Sequence, residues 1–245
     1  MARVDLNCDL GEGAGHDAEI MPLISSANVA CGAHAGDDAT MRATVALALQ
    51  HGVAVGAHPG FTDRENFGRK EVALVESEVH ALVLWQIREL QAVARSLGAR
   101  LAHVKPHGAL YNLAARKTST ARAIAAAVRQ SDSRMRLVGL AGSKLIEEGA
   151  TAMLTTVNEV FADRTYQPDG SLTPRDRPDA LITDPAVAVA RVRRMVHEGR
   201  VRAVDGTDIT IRADTICLHG DGPHAVEFAR AIRQGLEADG ITIGA

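Results

Sequence analysis

The chain alternates short apolar runs with longer stretches of helical periodicity, and this alternation limits its fold more than any other feature. Apolar runs of strand length predict seven strands, at 3–7, 27–31, 53–57, 101–105, 136–140, 155–161 and 214–219. The helical patterns predict helices at 38–51, 71–98, 117–131, 185–199 and 223–239. Strands that alternate with helices form βαβ units with parallel strands and right-handed crossovers. We therefore predict an α/β fold, a (β/α)7-type barrel, with an open doubly wound sheet as the alternative.

A single domain accounts for the whole chain. Its 245 residues match the size of single α/β barrels, and no linker or repeat interrupts the alternation, so residues 1–245 are predicted to form one domain. Two segments depart from the pattern. The stretch 201–214 has two β-rich runs around Asp205-Gly206, which predicts a β-hairpin. The polar, proline-rich stretch 167–180 is predicted to be a loop that covers the site or faces a partner.

Composition excludes several classes of function. With 27 basic and 30 acidic residues, a net charge of −3 and few aromatic side chains, the chain lacks the surface that nucleic acids and anionic membranes require. Its three cysteines have no metal-type spacing, which favours a reducing compartment over a disulfide framework. The start MARVDLN enters a strand pattern without a signal-peptide apolar region, and no run reaches membrane-spanning length. We expect a soluble, cytoplasmic protein.

Polar and ionisable residues are concentrated where the apolar runs end. The densest cluster, DLNCDLGEG at 5–13, contains Asn7, Asp9 and Glu12, and buried carboxylates need a cation, a shared proton or a ligand. The other clusters are ANVACGAHAGD (27–37), GAHPGFTD (56–63), HVKPHGALYN (103–112), EVFADR (159–164) and CLHGDGPH (217–224). Ligands of parallel α/β proteins bind at the carboxyl ends of the strands. The residues predicted to meet there are Asp9, His34, His58, Lys105, His107, Asp163, His219 and Asp221.

Four histidines and several carboxylates at one barrel mouth have three chemical uses. They bind a divalent metal, move protons or orient a polar substrate, and the sequence leaves all three open. For any single histidine, a structural hydrogen bond is the alternative. Lys105 and His107 flank Pro106 and precede Gly108, so we expect both side chains to be held rigidly over the mouth. There Lys105 would polarise a carbonyl, bind a phosphate or pair with a carboxylate.

Other residues of the same types are expected to have different roles. Histidines predicted to be solvated are His16, His51, His80 and His197. His103 alternates with Lys105 along one strand and is left unassigned. Cys31 and Cys217 are predicted to pack as small apolar residues. The turn AGSKL at 141–145 opens a helix after a strand and offers backbone N–H groups and Lys144 to an anion, although such turns also occur without a ligand.

The ordered motifs together resemble the LamB/YcsF family. The resemblance runs through nearly the whole chain, from DLNCDLGEG through ANVACGAHAGD, GAHPGFTD, KPHGALYN and EVFADRTY to LHGDGP. It implies a (β/α) barrel akin to the deacetylase and glycoside hydrolase barrels. It also implies ATP-dependent opening of 5-oxo-L-proline to L-glutamate, with Mg²⁺, by one component of a 5-oxoprolinase that works with 5-oxoprolinase subunits B and C.

The resemblance also implies a set of site residues. Those with an implied catalytic role are Asp9, His34, His58, Lys105 and His107. Those implied to bind substrate or nucleotide are Asn7, Glu12, Glu159, Asp163, Arg164, His219 and Asp221. A larger aromatic residue is usual in the family at the position of Ala33, so this departure would enlarge the pocket.

A lactam amide is a poor electrophile, and phosphorylation of its oxygen would create a leaving group. Our mechanistic hypothesis gives the phosphate and carboxylate charges to Lys105 and Arg164. It takes the base that activates water from Asp9, His34 or His58.

Two other functions stay open on the sequence. A metal-dependent hydrolase, such as a carbohydrate deacetylase, would hold one divalent ion with Asp9, His34 and His58. The H-x-x-x-H pair usual in deacetylases is absent after His34. A non-catalytic protein that binds substrate or serves as a scaffold is the other function, because the chain has no phosphate-binding loop of the Walker type. A homo-oligomer is compatible with each of these functions.

Overall fold

The computed structural model describes residues 3–219 and 225–245, and within them seven parallel strands close into a barrel. In chain order, the ten strands of the described residues are β1 (Arg3–Leu10), β2 (Ser26–Ala30), β3 (Ala54–His58), β4 (Leu101–Val104), β5 (Arg136–Leu140), β6 (Thr156–Phe161), β7 (Arg200–Arg202), β8 (Asp208–Thr210), β9 (Thr215–His219) and β10 (Thr242–Ile243). The barrel order is β1-β2-β3-β4-β5-β6-β9, and β9 pairs in parallel with β1 to close the ring. The (β/α)7-type barrel is confirmed, and the open sheet is wrong.

Helices cover the outside of this barrel. They are α1 (Asp17–Ile20), α2 (Asp38–His51), α3 (Glu76–Ser96), α4 (Gly108–Arg116), α5 (Thr118–Ser131), α6 (Lys144–Thr151), α7 (Pro185–Glu198) and α8 (Ala225–Ala238). Local chemistry sets their ends: the Asp37 carboxylate accepts a hydrogen bond from the Thr40 N–H at 2.8 Å, and Gly52 ends α2 with φ of 66°. The hydrophobic core lies where the helices pack against the strands.

Most predicted elements agree with the structure to within a few residues. The hairpin is confirmed, since β7 and β8 pair antiparallel on either side of Asp205-Gly206. Helix α4 has no counterpart among the predicted helices. It is separated from α5 by Lys117, whose backbone is extended at φ −112° and ψ 109°. The predicted helix at 223–239 is observed as α8, and residues 220–224 lie outside the described part of the chain.

The first strand shows how the interior of the barrel differs from its outside. Its residues Leu6, Cys8 and Leu10 belong to the hydrophobic core, whereas Asn7 and Asp9 alternate with them and bond to polar groups of other strands. Interiors of (β/α) barrels are usually filled by branched apolar residues. This barrel is therefore filled in part by hydrogen-bonded polar groups, which continue upward to the carboxyl ends of its strands.

The polar segment at 167–180 lies beside the barrel mouth, where residues 169–175 line a cavity. Two isolated bridges, Arg164–Leu181 and Tyr166–Leu172, fold the segment back on itself. This placement agrees with the predicted loop that covers the site. Among the described residues, no helix is both long and apolar enough to cross a membrane.

Candidate active site

A column of buried polar side chains fills the barrel below its mouth. Asp5 accepts hydrogen bonds from the Ser26 hydroxyl at 2.8 Å and the Thr215 hydroxyl at 2.6 Å. Above it, Asn7 donates to Thr215 and, at 3.0 Å, to the Glu159 carboxylate. Asn28 in turn donates to Asn7 at 2.7 Å. Because buried polar groups cost free energy unless they are paired, this continuous bonding is what allows so polar an interior.

His103 belongs to this column and so receives a structural role. Its Nε2 donates to the Asn28 amide oxygen at 2.7 Å, and its side chain is 2% exposed. The ring fits only because residue 56 is glycine: a Cβ built there would lie 2.1 Å from Nε2. Burial lowers the pKa of His103 to about 4, so the imidazole is neutral at physiological pH.

Lys105 lies at the top of the column and is 2% exposed. Its Nζ lies 2.8 Å from Asp9 Oδ1 and 2.8 Å from Glu159 Oε1, and it donates to Asn7 at 3.3 Å. Burial alone would lower its pKa, but Asp9, Cys217 and Glu159 raise it well above its usual value. Its charge is therefore balanced within the protein, and the structure favours carboxylate pairing over a free phosphate ligand.

Three imidazoles and one carboxylate converge at the mouth, and we call them the His/Glu cluster: Glu12, His34, His58 and His107. Glu12 Oε1 lies 3.1 Å from His34 Nε2, 3.2 Å from His107 Nδ1 and 3.7 Å from His58 Nε2. The rings of His34 and His107 stack with centroids 3.8 Å apart. Asp9 joins the edge of the cluster, since its Oδ2 lies 3.3 Å from His58 Nε2.

Backbone carbonyls fix which nitrogen of two rings carries a proton. His58 Nδ1 lies 2.7 Å from the Lys105 carbonyl oxygen, and His107 Nε2 lies 2.8 Å from that of Phe67. A carbonyl only accepts, so both of these nitrogens carry hydrogen. The remaining nitrogens, His58 Nε2 and His107 Nδ1, are 3.0 Å apart. Two lone pairs at that distance repel, so a proton or a cation must lie between them.

Electrostatics separate the two histidines. Burial alone would lower the pKa of His58, but the carboxylates of Asp9 and Glu12 raise it above the usual value. Burial lowers the pKa of His107, and its contact with Glu12 offsets this only in part. Burial also lowers the pKa of His34 to about 4. The proton that the 3.0 Å contact between His58 and His107 requires is therefore favoured on His58 over His107, and His34 is neutral at pH 7.

The carboxylates of the cluster stay ionised. Burial would raise the pKa of Glu12, yet its contacts with His107 and His34 and the charge of His58 hold it well below its usual range. Burial would likewise raise the pKa of Asp9, and the charges of His58 and Lys105 hold it well below normal. Both groups are therefore acceptors at any pH at which the protein would be assayed.

The same four residues could hold a metal ion. One ligand atom from each of Glu12, His34, His58 and His107 lies within 4.8 Å of the others. Zinc bonds of about 2.0–2.2 Å imply tetrahedral edges of about 3.3–3.5 Å, close to the separations in the cluster. The carbonyl bonds to His58 and His107 orient the ligand nitrogens, as carbonyls that accept from metal-bound histidines do in known metal sites. Of the predicted metal ligands Asp9, His34 and His58, the two histidines belong to this group and Asp9 lies beside it. Glu12 and His107 supply the other two ligand atoms of the group.

A second ionisable group lies at the ends of β6 and β9. His219 Nδ1 lies 2.6 Å from Asp163 Oδ2, and Arg175 donates to His219 Nε2 at 3.0 Å. Arginine only donates, so Nε2 accepts and Nδ1 carries the proton, which makes His219 a neutral link. Arg164 is 4% exposed and donates to the Thr173 carbonyl.

One cavity of about 600 Å³ joins the two groups. Its lining includes Asp9, Glu12, His58 and His107 on one part and Ser143, Arg164, Arg175 and His219 on another. This volume lies within the usual range for small-molecule sites. Ala33 is buried and is not among the described residues that line the cavity, and its effect on the size of the pocket stays a prediction.

The structure brings most predicted site residues together, although their roles stay predictions. In the barrel column and the His/Glu cluster lie Asn7, Asp9, Glu12, His34, His58, Lys105, His107 and Glu159. In the second group lie Asp163, Arg164 and His219. Asp221 lies outside the described residues. Burial raises the pKa of Cys217 well above normal and that of Cys31 to about 12, which agrees with thiols that pack as apolar residues.

Sequence reasoning missed residues that position the site from a distance. Gln86 on α3 is fully buried and bonds both the N–H and the carbonyl of Gly60, at 2.9 and 2.8 Å. Gly60 packs against His34, where a Cβ would lie 2.6 Å from Nδ1. A glutamine in a helical pattern gives no local signal of this contact. Arg175 was also missed, since it lies in none of the motifs, whereas Ser143 lies in the turn AGSKL, for which the sequence predicted anion binding without a role for the hydroxyl.

Comparison with known proteins agrees with this architecture. The model of the LamB/YcsF family matches residues 4–245. The A subunit of 5-oxoprolinase from Brevibacillus brevis is 54% identical over 250 residues, which cover 100% of this chain and 98% of that protein. The crystal structure of a lactam utilization protein from Thermus thermophilus has a TM-score of 0.93 and 51% identity, over 99% of both chains.

More distant structures share the fold alone. The peptidoglycan deacetylase PdaC from Bacillus subtilis has a TM-score of 0.51 at 15% identity, over 99% of this chain and 87% of that one. A GH113 β-1,4-mannanase has a TM-score of 0.50 at 12% identity, over 97% of this chain and 100% of that one. The predicted likeness in fold to deacetylase and glycoside hydrolase barrels is confirmed.

Proposed function

This chain belongs to the LamB/YcsF family, and from that premise we propose that it is the A subunit of a 5-oxoprolinase. In this proposal it opens the lactam ring of 5-oxo-L-proline to give L-glutamate, in a reaction that consumes Mg-ATP and requires partner subunits B and C. The observation that carries the proposal is the match to a 5-oxoprolinase component of the same length over the whole chain, at 54% identity. The buried His/Glu cluster at the mouth of a cavity supports it.

The chemistry of the lactam explains why such a site needs both an acid and a base. Resonance makes the ring amide a poor electrophile and its nitrogen a poor leaving group. Phosphorylation of the amide oxygen by Mg-ATP would make the ring carbon reactive. Water must then lose a proton as it adds to that carbon, and the nitrogen must gain a proton as the C–N bond breaks. This cleavage leaves γ-glutamyl phosphate, and a second water hydrolyses it to glutamate and inorganic phosphate.

The two histidines with opposite pKa shifts match these two tasks. His107, kept neutral by burial, would accept a proton from the attacking water at Nδ1, once the contact of this atom with His58 Nε2 has opened. His58, kept protonated by Asp9 and Glu12, would donate a proton to the leaving nitrogen. Asp9 orients His58 through the 3.3 Å contact, and Lys105 holds Asp9 in place. Lys105 is therefore assigned a positioning role.

The direct test is glutamate formation from 5-oxo-L-proline with Mg-ATP, using this chain alone and then with candidate B and C subunits. We expect glutamate only with all components present. His107→Gln should lower kcat by about 10²–10⁴-fold. His51→Gln is the matched control, because His51 is exposed at the end of α2, and its activity should equal that of the wild type. Equal kcat values for both variants would contradict the acid–base assignment.

A metal-dependent amide hydrolase is the second candidate, and the convergence of four ligand atoms within 4.8 Å favours it. In that case Glu12, His34, His58 and His107 would hold one divalent ion, and the ion would lower the pKa of a bound water. The test is metal content of the purified protein by mass spectrometry, followed by activity after chelation. A stoichiometric metal whose removal abolishes activity, in the absence of ATP, would favour this candidate over the first.

A further inference from the structure

One wall of the cavity carries unpaired donors that the acid–base chemistry does not use. The His/Glu cluster comes from the ends of β1 to β4, whereas this wall comes from the ends of β5, β6 and β9. It contains Ser143, at the first position before α6, together with Arg164 and Arg175. All three line the same cavity as His58 and His107.

Ser143 does not act as the helix cap that its position suggests. A serine at this position usually accepts a hydrogen bond from the first helical turn. Here the side chain makes no such bond, and its hydroxyl has no hydrogen-bond partner within the described residues although only 7% of the residue is exposed. The first-turn N–H groups of a helix also lack partners inside the helix. A buried hydroxyl thus lies on the cavity wall at a helix N-terminus.

The two arginines give the same wall an excess of positive charge. Arg164 is 4% exposed, and in the described part of the chain its Nε has no hydrogen-bond partner. Burial and the nearby charge of Arg175 lower the pKa of Arg164 to about 10. The carboxylate of Asp163 faces both guanidinium groups, but its Oδ2 accepts from the neutral His219. Two cations therefore share one carboxylate, and a further anion would stabilise them.

Other acidic groups at the cavity are already engaged. Asp169 accepts from the N–H and hydroxyl of Ser171 at 2.9 and 2.7 Å. Glu12 is held by the imidazoles of the cluster, and Asp9 by Lys105 and His58. Lys144, the next residue after Ser143, pairs with Glu147 at 2.7 Å on the surface. Within residues 3–219 and 225–245, these contacts leave no other carboxylate paired with the two arginines, which supports an anion supplied by a ligand.

We propose that Ser143, the N-terminus of α6, Arg164 and Arg175 form an oxyanion subsite that binds a carboxylate or phosphoryl group of a ligand in the cavity. The identity of that ligand rests on the function proposed above, in which both kinds of anion occur: the carboxylate of 5-oxo-L-proline and the phosphates of ATP. Backbone N–H groups, a hydroxyl and a forked guanidinium are donors that suit either oxyanion. An anion held there places the rest of its ligand in the space that leads to His58 and His107.

Calorimetric binding with four small probes tests the subsite without requiring turnover. The probes are 5-oxo-L-proline, its carboxylate-free analogue 2-pyrrolidinone, inorganic phosphate and Mg-ATP. The variants are Ser143→Ala and Arg175→Gln, and Arg175 is exposed, so the fold should tolerate its change. Arg177→Gln is the matched control, since Arg177 lies in the same loop, is exposed and pairs with Asp179 at 2.7 Å. Thermal melting of each variant verifies that it is folded.

Each source of the anion predicts its own pattern. If the subsite takes the substrate carboxylate, both variants should weaken 5-oxo-L-proline binding by about tenfold or more and leave 2-pyrrolidinone unchanged. If it takes a phosphoryl group, phosphate and Mg-ATP binding should weaken by that factor and 5-oxo-L-proline binding should not. Wild-type affinities in both variants for every anion, or a wild type that binds none of the anions, would overturn the subsite. If the variants weaken anion binding as expected but the protein makes no glutamate with its partners, the proposed function is refuted and the subsite is not.

Discussion

Replacing Lys105 with methionine removes the cation that two buried carboxylates share. Its Nζ lies 2.8 Å from both Asp9 and Glu159, and all three side chains are less than a tenth exposed. Breaking a buried ion pair by removing one partner costs about 3–5 kcal/mol, because the remaining charge is left uncompensated. For a domain of this size, each kcal/mol lowers Tm by about 2–4 °C, so we expect a decrease of about 6–20 °C.

The chain offers a matched control for this experiment. Lys144 pairs with Glu147 at 2.7 Å, a similar separation, but the Lys144 side chain is 45% exposed. Exposed ion pairs contribute about 0–1 kcal/mol, so Lys144→Met should lower Tm by only a few degrees. Urea unfolding followed by circular dichroism measures both variants. If the two substitutions cost the same free energy of unfolding, burial does not set the contribution of the Lys105 charge and the reasoning is refuted.

The double variant Lys105→Met/Glu159→Gln sharpens the result. Removing both charges should cost less free energy of unfolding than the sum of the two single changes, since the uncompensated carboxylate is gone.

The pH dependence of the contribution that each charge makes to stability has a defined sign. The pKa of Lys105 is raised, so its contribution is complete below its unfolded pKa of about 10.4 and is lost only as pH rises through the higher folded value. The pKa of Asp9 is depressed, so its contribution is complete above about pH 4 and is lost as pH falls through the lower folded value.

Three further predictions concern the cluster and the column. His34→Gln should weaken Zn²⁺ binding, measured by calorimetry, by more than about tenfold relative to His51→Gln, and equal affinities would exclude His34 as a ligand. Gly56→Ala should lower the free energy of unfolding by about 1–3 kcal/mol, because the new Cβ would lie 2.1 Å from His103 Nε2; an unchanged urea midpoint would contradict that packing. Glutamate formation should keep its rate as pH falls to about 6.5, because the lowered pKa of His107 delays its protonation, and a loss of kcat that begins above pH 7 would contradict its role as the base.

The fold was largely predictable because apolar runs and helical periodicity report directly on buried strands and covering helices. Helix α4 was not predicted because Pro106 and Gly108 are residues that usually interrupt helices. In the structure Pro106 precedes the helix and Gly108 is its first residue. Which residues share the barrel mouth was also predictable, since every parallel strand ends at the same edge. The pairing of Glu12 with His107, however, depends on how two loops fold above the strands.

The contacts that decide chemistry needed coordinates. The sequence placed Lys105 at the mouth with three possible roles, and only its distances to Asp9 and Glu159 select among them. The donor roles of His58 and His107 depend on which carbonyls lie within hydrogen-bond distance, and a motif does not encode those. The sequence marks Ser143 only as part of the turn AGSKL and gives Arg175 no pattern, because the unpartnered hydroxyl of Ser143 and the charges near Arg175 are set by folding.

Lys105 joins the stability of the barrel to the chemistry at its mouth. Its ammonium group holds Asp9, whose carboxylate keeps His58 protonated, while its own backbone carbonyl accepts from the other nitrogen of His58. One residue therefore sets both the charge and the orientation of the ring assigned as the acid. Because Lys105 contacts Asp9 through its ammonium group and His58 through its carbonyl, a shift of Lys105 would also shift His58. Lys105 directly follows a barrel strand, so the position of His58 depends on the closed barrel. A polar barrel interior costs free energy of folding. Here it supplies the paired groups that keep one imidazole protonated beside another that is neutral, as the proposed acid and base require.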